Sequence, residues 1–282
     1  MTDLSIIVVT YKEGLDVLKA CFDSVAASSN IRYELIIVDN GASAATKGLL
    51  SSYDHATYLR NEENKGFAAA VNRGMKQGTG RYHLLLNPDT AFAPDVLARM
   101  VTHLDEDGDV GVASSLIYYP DGKIQDSIRR FPGVLDQLFV MLKIPHLFKT
   151  QAIARYMMED SDPKQTQDVD SIMGAFMFIR RELTDEIGYF DERYFIWFEE
   201  VDFCKMTVDA GWKVRHYADT QIMHLKEHTF NKLATLRKQR WMRESMRKYM
   251  HKHHGRMTAG LFWALTPLFI VLAHIAAIIK RG

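Results

Sequence analysis

The sequence of 282 residues predicts an α/β fold, with a mostly parallel central sheet and helices on both of its faces. Short β-branched runs alternate with helical patterns through residues 4–89, which is typical of βαβ units. The apolar runs IIVV, LIIV and LLL suit strands that are buried on both sides. Apolar residues make up 47% and charged residues 25% of the chain, as in globular proteins, which excludes wholesale disorder.

The first part of the chain alternates strictly between the two kinds of element. Strands are predicted at 4–11, 33–40, 56–61 and 82–89, and helices at 15–27, 44–53 and 66–78. Gly78 and Gly80 end the third of these helices, because glycine favours the termini of helices over their interiors. Since parallel strands need a crossover connection between them, this order predicts a parallel sheet.

The pattern loosens after Asp89. Helices are predicted at 94–104, 181–187 and 199–210, a strand at 110–119, a turn at 119–123, an apolar run at 171–179, and a mixed loop and helix region over 120–168. The turn is predicted by its Pro-Asp-Gly chemistry, and Gly211 closes the last helix.

The C-terminal part differs from the rest in charge and hydropathy. Residues 237–282 carry ten Lys or Arg against one acid, Glu244, so their net charge is +9 and that of residues 1–236 is −9. A polar, basic helix is predicted at 228–254. The stretch 261–279 then holds nineteen residues without a formal charge, which is about 28 Å of helix and enough to cross the core of a bilayer.

Basic residues directly before an apolar stretch are typical of the cytoplasmic flank of a membrane-contacting segment. Lys280 and Arg281 border the stretch on its other side, whereas Pro267 and His274 weaken a spanning helix. Spanning, re-entry and interfacial binding all stay open, and a buried C-terminal helix is the alternative. An acidic body with a basic tail indicates an anionic membrane surface as partner and argues against nucleic acid.

Two cysteines, Cys21 and Cys204, are too few for a disulfide-rich scaffold or a Cys-based zinc cluster. The first residues lack the basic region and the long apolar run of a signal peptide. We therefore expect the chain to fold in a reducing cytoplasm.

Polar side chains follow four consecutive predicted strands, and ligands bind at the carboxyl ends of parallel strands in open α/β sheets. These positions are Thr10, Tyr11 and Glu13, then Asp39, Asn40 and Gly41, then 61–66, then Asn87, Pro88 and Asp89. Each alone is as typical of a cap or a turn, but their coincidence favours a site for a nucleoside, a ribose or a metal-bound phosphate. No G-x-G-x-x-G follows the first strand and no P-loop motif occurs, which argues against a dinucleotide-binding fold and a P-loop NTPase.

A second group of side chains with chemical potential lies within 190–202. Aromatic residues at 194–198 run directly into three acids, Glu199, Glu200 and Asp202. Acids in the first turn of a helix are stabilised by its dipole. A carboxylate beside an aromatic wall is equally typical of a sugar site with a general base. The residue types alone leave both interpretations open.

Six ordered blocks carry a resemblance to a known family. They are VVTY (8–11), VDNG (38–41), NKGFAAAVNRG (64–74), LNPDT (86–90), GAFMFIRRE (174–182) and FDERYFIWFEEVDFC (190–204). Over residues 4–226 the chain resembles the family 2 inverting glycosyltransferases, and within them the rhamnosyltransferase-like branch of bacterial surface polysaccharide biosynthesis. This resemblance implies a GT-A nucleotide-sugar-binding fold, a nucleotide-sugar donor and a divalent metal, Mg²⁺ or Mn²⁺.

The resemblance also implies roles for particular residues on the donor side. The base and ribose of the donor fall to Thr10, Tyr11, Glu13 and Asp39, and the neighbourhood of the donor to Asn64, Lys65, Gly66 and Asn87. Asn87-Pro88-Asp89 takes the place of the D-x-D metal motif of the family, which leaves Asp89 as its one carboxylate. His224 matches the position of a further metal ligand, although a structural role for a single histidine is equally open.

On the acceptor side, Glu200 matches the second acid of the E-D pair of the family, which implies that it is the general base. Glu stands here where Asp is more common, so Glu199 or Asp202 could share this role. Trp197 and Phe198 are expected to line the acceptor site. Gly174 belongs to this site and leaves room for the donor sugar.

These expectations define a domain plan and a function. Residues 1–226 form a catalytic domain, with a nucleotide-binding half at 1–90 and an acceptor half at 91–226, and residues 227–282 form a membrane-associating tail. The expected reaction moves a sugar, L-rhamnose from dTDP-rhamnose in the branch that the chain resembles, to a glycan or lipid-linked glycan. A UDP-sugar is the other donor considered, and the cytoplasmic face of the inner membrane is the expected location.

Two alternatives come from other functional classes. A catalytically silent nucleotide-sugar-binding or scaffold protein would share the fold, and Asn87 and Glu200, which depart from the commonest pattern, favour it. A nucleotidyltransferase would want a Gly-rich, basic loop after the first strand, whereas TYKEGLDV has one Gly and one Lys.

Overall fold

The computed structural model of the protein describes residues 2–54, 56–146, 148–225 and 235–279. The strands in these ranges are β1 (Leu4–Thr10), β2 (Tyr33–Asp39), β3 (Ala56–Arg60), β4 (Tyr82–Leu86), β5 (Thr90–Phe92), β6 (Val110–Tyr118), β7 (Ile128–Arg129), β8 (Gln167–Asp168), β9 (Ser171–Ile172), β10 (Phe176–Arg180) and β11 (Lys213–His224). The helices are α1 (Leu15–Ala26), α2 (Ala44–Leu50), α3 (Phe67–Gln77), α4 (Val96–Glu106), α5 (Val134–Met141), α6 (Gln151–Tyr156), α7 (Arg181–Ile187), α8 (Glu199–Asp209), α9 (Thr235–Ala264) and α10 (Thr266–Ile279), with a 3₁₀ turn at Ile144–His146.

The main sheet has the strand order β3-β2-β1-β4-β10-β6-β11-β5, and β8 pairs with β11. β1 runs parallel to β2 and β4, and β2 runs parallel to β3, which confirms the predicted mostly parallel sheet. β10 is antiparallel to both of its neighbours, with Phe176 opposite Leu86. The amino end of β10, and with it Gly174, therefore lies at the same edge as the carboxyl ends of β1, β2 and β4.

Helices cover both faces of this sheet. Ile6 and Val8 of β1 pack into a core that includes residues of α1 and α4, whereas Ile7 packs into a second core that includes residues of α3, α7 and α8. Because side chains alternate along a strand, an uninterrupted apolar run serves both faces. Cys21 lies in the first core and Cys204 in the second, and both are free thiols.

The region from 120 to 180 departs from the simple alternation. β9 leaves the main sheet and pairs with β7, so the predicted apolar run at 171–179 is divided into two strands. The region predicted as mixed loop and helix holds β7, the short helices α5 and α6, and β8. Periodicity did not resolve these elements because the helices have only six to eight residues and the strands two, which is too short for a clear repeat.

The C-terminal helices form a bent pair. Gly255 has a left-handed φ of 86° inside α9, and the chain breaks again before α10 at Leu265. Pro267 accounts for the second break, since proline suits the first turn of a helix and clashes in an interior. In the described part of the chain, no single helix has the length and apolarity to cross a membrane. Only a bent pair has both when taken together: Leu236–Ala264 and Thr266–Ile275, with an angle of 52° between them.

The predicted tail elements differ from the observed helices in extent. Residues 228–234 of the predicted basic helix, and the flanking Lys280 and Arg281, lie outside the described residues. One side of the pair is buried against the body: Tyr249, Met250 and Phe262 share a core with Tyr194 and Phe198. Another side is exposed and apolar.

Candidate active site

A cleft of about 410 Å³ opens at the carboxyl edge of the sheet, and the segment 195–200 and α9 form its opposite wall. Eleven of the residues predicted from the sequence line it: Tyr11, Glu13, Asn64, Gly66, Asn87, Asp89, Gly174, Trp197, Glu199, Glu200 and His224. Five predicted residues lie outside the lining: Thr10, Asp39, Lys65, Phe198 and Asp202.

Asp39 shapes the loop after β2. Its buried carboxylate accepts hydrogen bonds from the N–H groups of Gly41 (2.7 Å) and Ser43 (2.8 Å) and from the hydroxyl of Tyr58 (2.7 Å). Burial and this hydrogen bond raise the pKa of Tyr58 to about 12. With three donors already bound, Asp39 acts first on its own loop, and its contact with the base of a donor stays a prediction.

The turn at Gly66 joins the two walls of the cleft. Gly66 has a φ of 103°, and a Cβ built on it would lie 2.5 Å from the carbonyl oxygen of Phe195. The next residue, Phe67, donates its N–H to that same carbonyl at 2.8 Å, and Asn64 accepts the N–H of Gly66 at 2.9 Å. Only glycine allows this approach. The close contact at Gly66 is therefore one with the backbone of Phe195.

Asp89 and His224 come together at the end of β4 and β11. The Nε2 atom of His224 lies 3.2 Å from Oδ1 of Asp89 and 3.3 Å from Nδ2 of Asn87. Its Nδ1 lies 3.0 Å from Oε1 of Gln125, an atom that only accepts, so the hydrogen-bond network assigns the proton to Nδ1. The side-chain amide of Gln125 also donates to the backbone carbonyl of His224 at 2.6 Å. No motif in the sequence pointed to Gln125 as part of the site.

This arrangement fits a divalent cation. The lone pair on Nε2 of His224 and the carboxylate of Asp89 face each other, and each side chain is almost fully buried. Histidines that bind metals usually donate the N–H of their other ring nitrogen to an oxygen, and this hydrogen bond fixes the tautomer and the orientation of the ring. In the described ranges no three His, Cys, Asp or Glu side chains converge to hold an ion. Phosphate or water oxygens would therefore have to complete the coordination.

Glu199 and Glu200 begin α8 and face the cleft. Burial raises the pKa of Glu200 to about 7, and burial together with the neighbouring Glu200 raises that of Glu199 well above its ordinary value. Among the described residues, neither Oε2 atom has a hydrogen-bond partner. Gly174 lies opposite, where an added Cβ would stand 3.6 Å from Cβ of Glu200. Each buried carboxylate thus has one oxygen that no described residue engages.

The backbone before these acids is strained. Trp197 and Phe198 have φ values of 62° and 71°, and such left-handed conformations cost non-glycine residues about 1–3 kcal/mol each. Contacts with α9 hold them: the ring of Phe198 lies 5.5 Å from that of Tyr249, and the hydroxyl of Ser245 donates to the carbonyl of Ile196 at 2.8 Å. The direction of the two glutamates therefore depends on α9.

Asp202 lies outside the cleft and fastens α9 to α8. Its buried carboxylate is 2.7 Å from Nζ of Lys252 and 2.7 Å from Nε2 of His253, and the hydroxyl of Tyr194 donates to it at 3.3 Å. These contacts engage the oxygens of Asp202 away from the cleft and support a positioning role, while a share in proton transfer stays an untested prediction.

Two further residues of α9, Lys238 and Trp241, line the cleft. Neither was predicted from the sequence. The ring centroids of Trp241 and Phe195 lie 4.9 Å apart. The guanidinium of Arg237, also on α9, lies 4.8 Å from the centroid of the Trp241 ring. Their stretch of sequence was interpreted as part of a membrane tail. No local pattern distinguishes a basic residue of such a tail from one that enters a cleft.

Comparisons with known proteins agree on one family. The family model described as Glycosyl transferase family 2 matches residues 5–188. The chain is 23% identical to an N-acetylglucosaminyl-diphospho-decaprenol L-rhamnosyltransferase of Mycobacterium tuberculosis, over 98% of this chain and 93% of that one. It is also 23% identical to Rhamnosyltransferase WbbL of Escherichia coli, over 83% of this chain and 88% of the relative.

A solved structure extends the likeness to the fold. The mannosyltransferase PcManGT from Pyrobaculum calidifontis, in complex with GDP-Man and Mn²⁺, superposes with a TM-score of 0.61 at 16% identity. The superposition covers 99% of this chain and 75% of that one. The GT-A fold expected from the sequence is confirmed.

Proposed function

The chain belongs to glycosyl transferase family 2 and is a glycosyltransferase, and from that premise we propose that its cleft transfers a sugar to a glycan acceptor with Glu200 as general base. One observation carries this proposal: the carboxylate of Glu200 is buried in the cleft, has an oxygen without a partner among the described residues, and has a pKa of about 7. A base with a pKa near the working pH combines ionisation with a strong affinity for the proton.

The donor side of the proposal rests on Asp89 and His224. These residues would hold Mg²⁺ or Mn²⁺ together with phosphate oxygens of the donor, and such a cation offsets the charge that develops on the leaving diphosphate. Tyr11, Glu13 and Asn64 also line the cleft, which supports the proposal that they contact the nucleoside. The rhamnosyltransferase relatives favour dTDP-L-rhamnose as the donor, with a UDP-sugar as the alternative.

In the transfer step, the acceptor hydroxyl gives its proton to Glu200 while its oxygen forms a bond with the anomeric carbon. The bond between that carbon and the phosphate oxygen breaks, and the nucleoside diphosphate leaves with the bonding electrons. Attack opposite the leaving group inverts the anomeric configuration. Burial and the neighbouring Glu200 raise the pKa of Glu199 well above its ordinary value, which disfavours two ionised carboxylates side by side.

We further propose that the acceptor is a lipid-linked glycan and that the enzyme works at the cytoplasmic face of the inner membrane. Support comes from the relative that acts on a diphospho-decaprenol sugar and from the exposed apolar side of α9 and α10. There Met257, Trp263 and Val271 are 92%, 70% and 54% exposed. Large apolar side chains in such a group mark an interaction surface.

The proposed domain plan keeps a catalytic domain at 1–226, with halves at 1–90 and 91–226, and a tail at 227–282. Residues 226–234, which contain the boundary, lie outside the described residues. Because Lys238 and Trp241 line the cleft, α9 would serve the catalytic domain and the membrane at once.

Calorimetric titration of the full chain with dTDP, UDP and GDP, each with and without Mn²⁺, tests the donor site. We expect one nucleotide to bind at least tenfold more tightly with Mn²⁺. Asp89→Ala should remove this gain and Glu200→Gln should retain it. Absence of binding by all three nucleotides, or binding indifferent to metal and to Asp89→Ala, would overturn the proposed donor site.

A further inference from the structure

We propose that Lys238 and Trp241 of α9 form an acceptor subsite that recognises a sugar carrying a phosphate or diphosphate, Trp241 the sugar and Lys238 the phosphate. This inference rests on the proposed glycosyl transfer and names the chemistry of its acceptor. Residues three apart on a helix face the same side, and both of these line the cleft.

The charge of the cleft indicates what Lys238 does. The ionisable groups of the lining include the acids Glu13, Asp89, Glu199 and Glu200, and within the described chain Lys238 is the one Lys or Arg among the lining residues. None of the ion pairs in the described ranges engages Lys238. A lysine is a common phosphate ligand, as a point charge with three donors. A cation in the cleft without an ion-pair partner among the described residues fits an anionic ligand.

The aromatic pair indicates what lies next to that anion. Trp241 and Phe195 have ring centroids 4.9 Å apart at an angle of 30°, and both line the cleft on the wall that also carries Glu200. Large aromatic rings give an apolar platform for the C–H face of a pyranose. The guanidinium of Arg237 lies 4.8 Å from the centroid of the Trp241 ring, a cation–π contact that stabilises the ring and places a positive charge beside it.

The position of α9 assigns this phosphate to the acceptor. Asp89 and His224, at the sheet edge, would hold the cation proposed to bind the donor diphosphate. Lys238 belongs to the opposite wall, on the helix that continues to the exposed Met257. Nineteen residues separate them, and a helix rises about 1.5 Å per residue, so roughly 28 Å of α9, bent at Gly255, connects the cleft to the apolar surface. α9 is therefore the element that the cleft shares with the apolar surface, where the lipid of a lipid-linked acceptor would lie.

The test compares two soluble acceptors that differ only in the diphosphate: a short-chain alkyl N-acetylglucosaminyl diphosphate and the corresponding alkyl N-acetylglucosaminide. With the full chain, Lys238→Ala should raise KM for the diphosphate acceptor about tenfold. It should leave KM for the alkyl glycoside and for the donor unchanged. Trp241→Ala should raise KM for both acceptors, and Trp241→Phe should restore most of the loss.

Arg240→Ala is the matched control, because Arg240 lies on the same helix, is exposed and pairs with Glu244. We expect it to change neither KM. Equal effects of Lys238→Ala on the two acceptors, or a rise in the KM of the donor, would overturn the subsite. Calorimetric binding of the alkyl diphosphate to the wild type and to Lys238→Ala gives the same comparison without transfer. It thereby separates failure of the subsite from failure of the proposed reaction.

Discussion

Two parts of the site, the loop after β2 and the segment before Glu199, are held by contacts that differ greatly in sequence separation. On the sheet side, Asp39 accepts hydrogen bonds from Gly41 and Ser43, its neighbours in sequence. On the opposite side, Trp197 and Phe198 keep strained conformations through residues of α9 about fifty positions away, and the glutamates that follow have buried oxygens without partners in the described chain. The loop after β2 is thus fixed locally, whereas the wall that carries the proposed base depends on how α9 docks.

The largest expected effect separates the chemistry of the two walls. Glu200→Gln keeps the size of the side chain and removes its basicity, so we expect kcat to fall by about 10²–10⁴-fold. Nucleotide affinity, which belongs to the sheet wall, should stay within twofold. Steady-state kinetics and calorimetry on the same preparation measure the two quantities, with the exposed Glu106→Gln on α4 as control.

The pH dependence of the wild type sharpens this prediction. Burial raises the pKa of Glu200 to about 7, so the basic form is lost as the pH falls through 7. We therefore expect kcat to fall about tenfold per unit below that pH and to level off above it. A rate that is flat from pH 5 to 8, or a Glu200→Gln variant with near-normal kcat, would contradict the assignment of the base.

The next effect concerns the fastening of α9. Asp202 is buried and pairs with Lys252 and His253, so Asp202→Asn leaves the ammonium of Lys252 and the imidazole of His253 without their carboxylate. Breaking a buried pair from one side costs about 3 kcal/mol, and we expect that loss in the free energy of unfolding. Since α9 holds the strained segment, kcat should also fall more than nucleotide affinity does.

Urea denaturation and the two activity measurements check this. Asp209→Asn on the same helix is the matched control, because Asp209 forms an exposed pair with Lys205 and should cost under about 0.5 kcal/mol. Equal losses in the two variants would show that the pair at Asp202 does not secure the helix.

The same difference in range explains how far the sequence could predict the molecule. The alternation of strands and helices up to β4, the mostly parallel sheet and the family were predictable, because period-2 and period-3.6 patterns and ordered motifs are local properties. The motifs also identified Asp89, Glu200 and Gly66, which the structure brings to one cleft. Their chemical roles stay predictions.

The remaining features of the site depend on distant contacts. Gln125 meets His224 across 99 positions, and Lys252 meets Asp202 across 50. No local pattern carries such a pairing, so Asp202 was predicted in the cleft and α9 outside it. The apolar stretch 261–279, whose form the sequence left open, is interrupted for a local reason, since Pro267 lies in the first turn of a new helix.

The smallest expected effect on the enzyme concerns the exposed side of α9, and it distinguishes the two tasks of that helix. Trp263 is 70% exposed, so Trp263→Ser should change the free energy of unfolding by under about 0.5 kcal/mol and leave transfer to a soluble acceptor unaltered. If this side meets the membrane, the same substitution should weaken binding to vesicles of phosphatidylglycerol and phosphatidylcholine at least tenfold, because burial of a large apolar side chain contributes about 1.5–3 kcal/mol. Leu15→Ser, at a 46% exposed position on α1, serves as control and should leave vesicle binding unchanged. Co-sedimentation measures both variants. Equal binding by wild type and Trp263→Ser would remove the membrane from the role of α9 while leaving its part in the cleft intact.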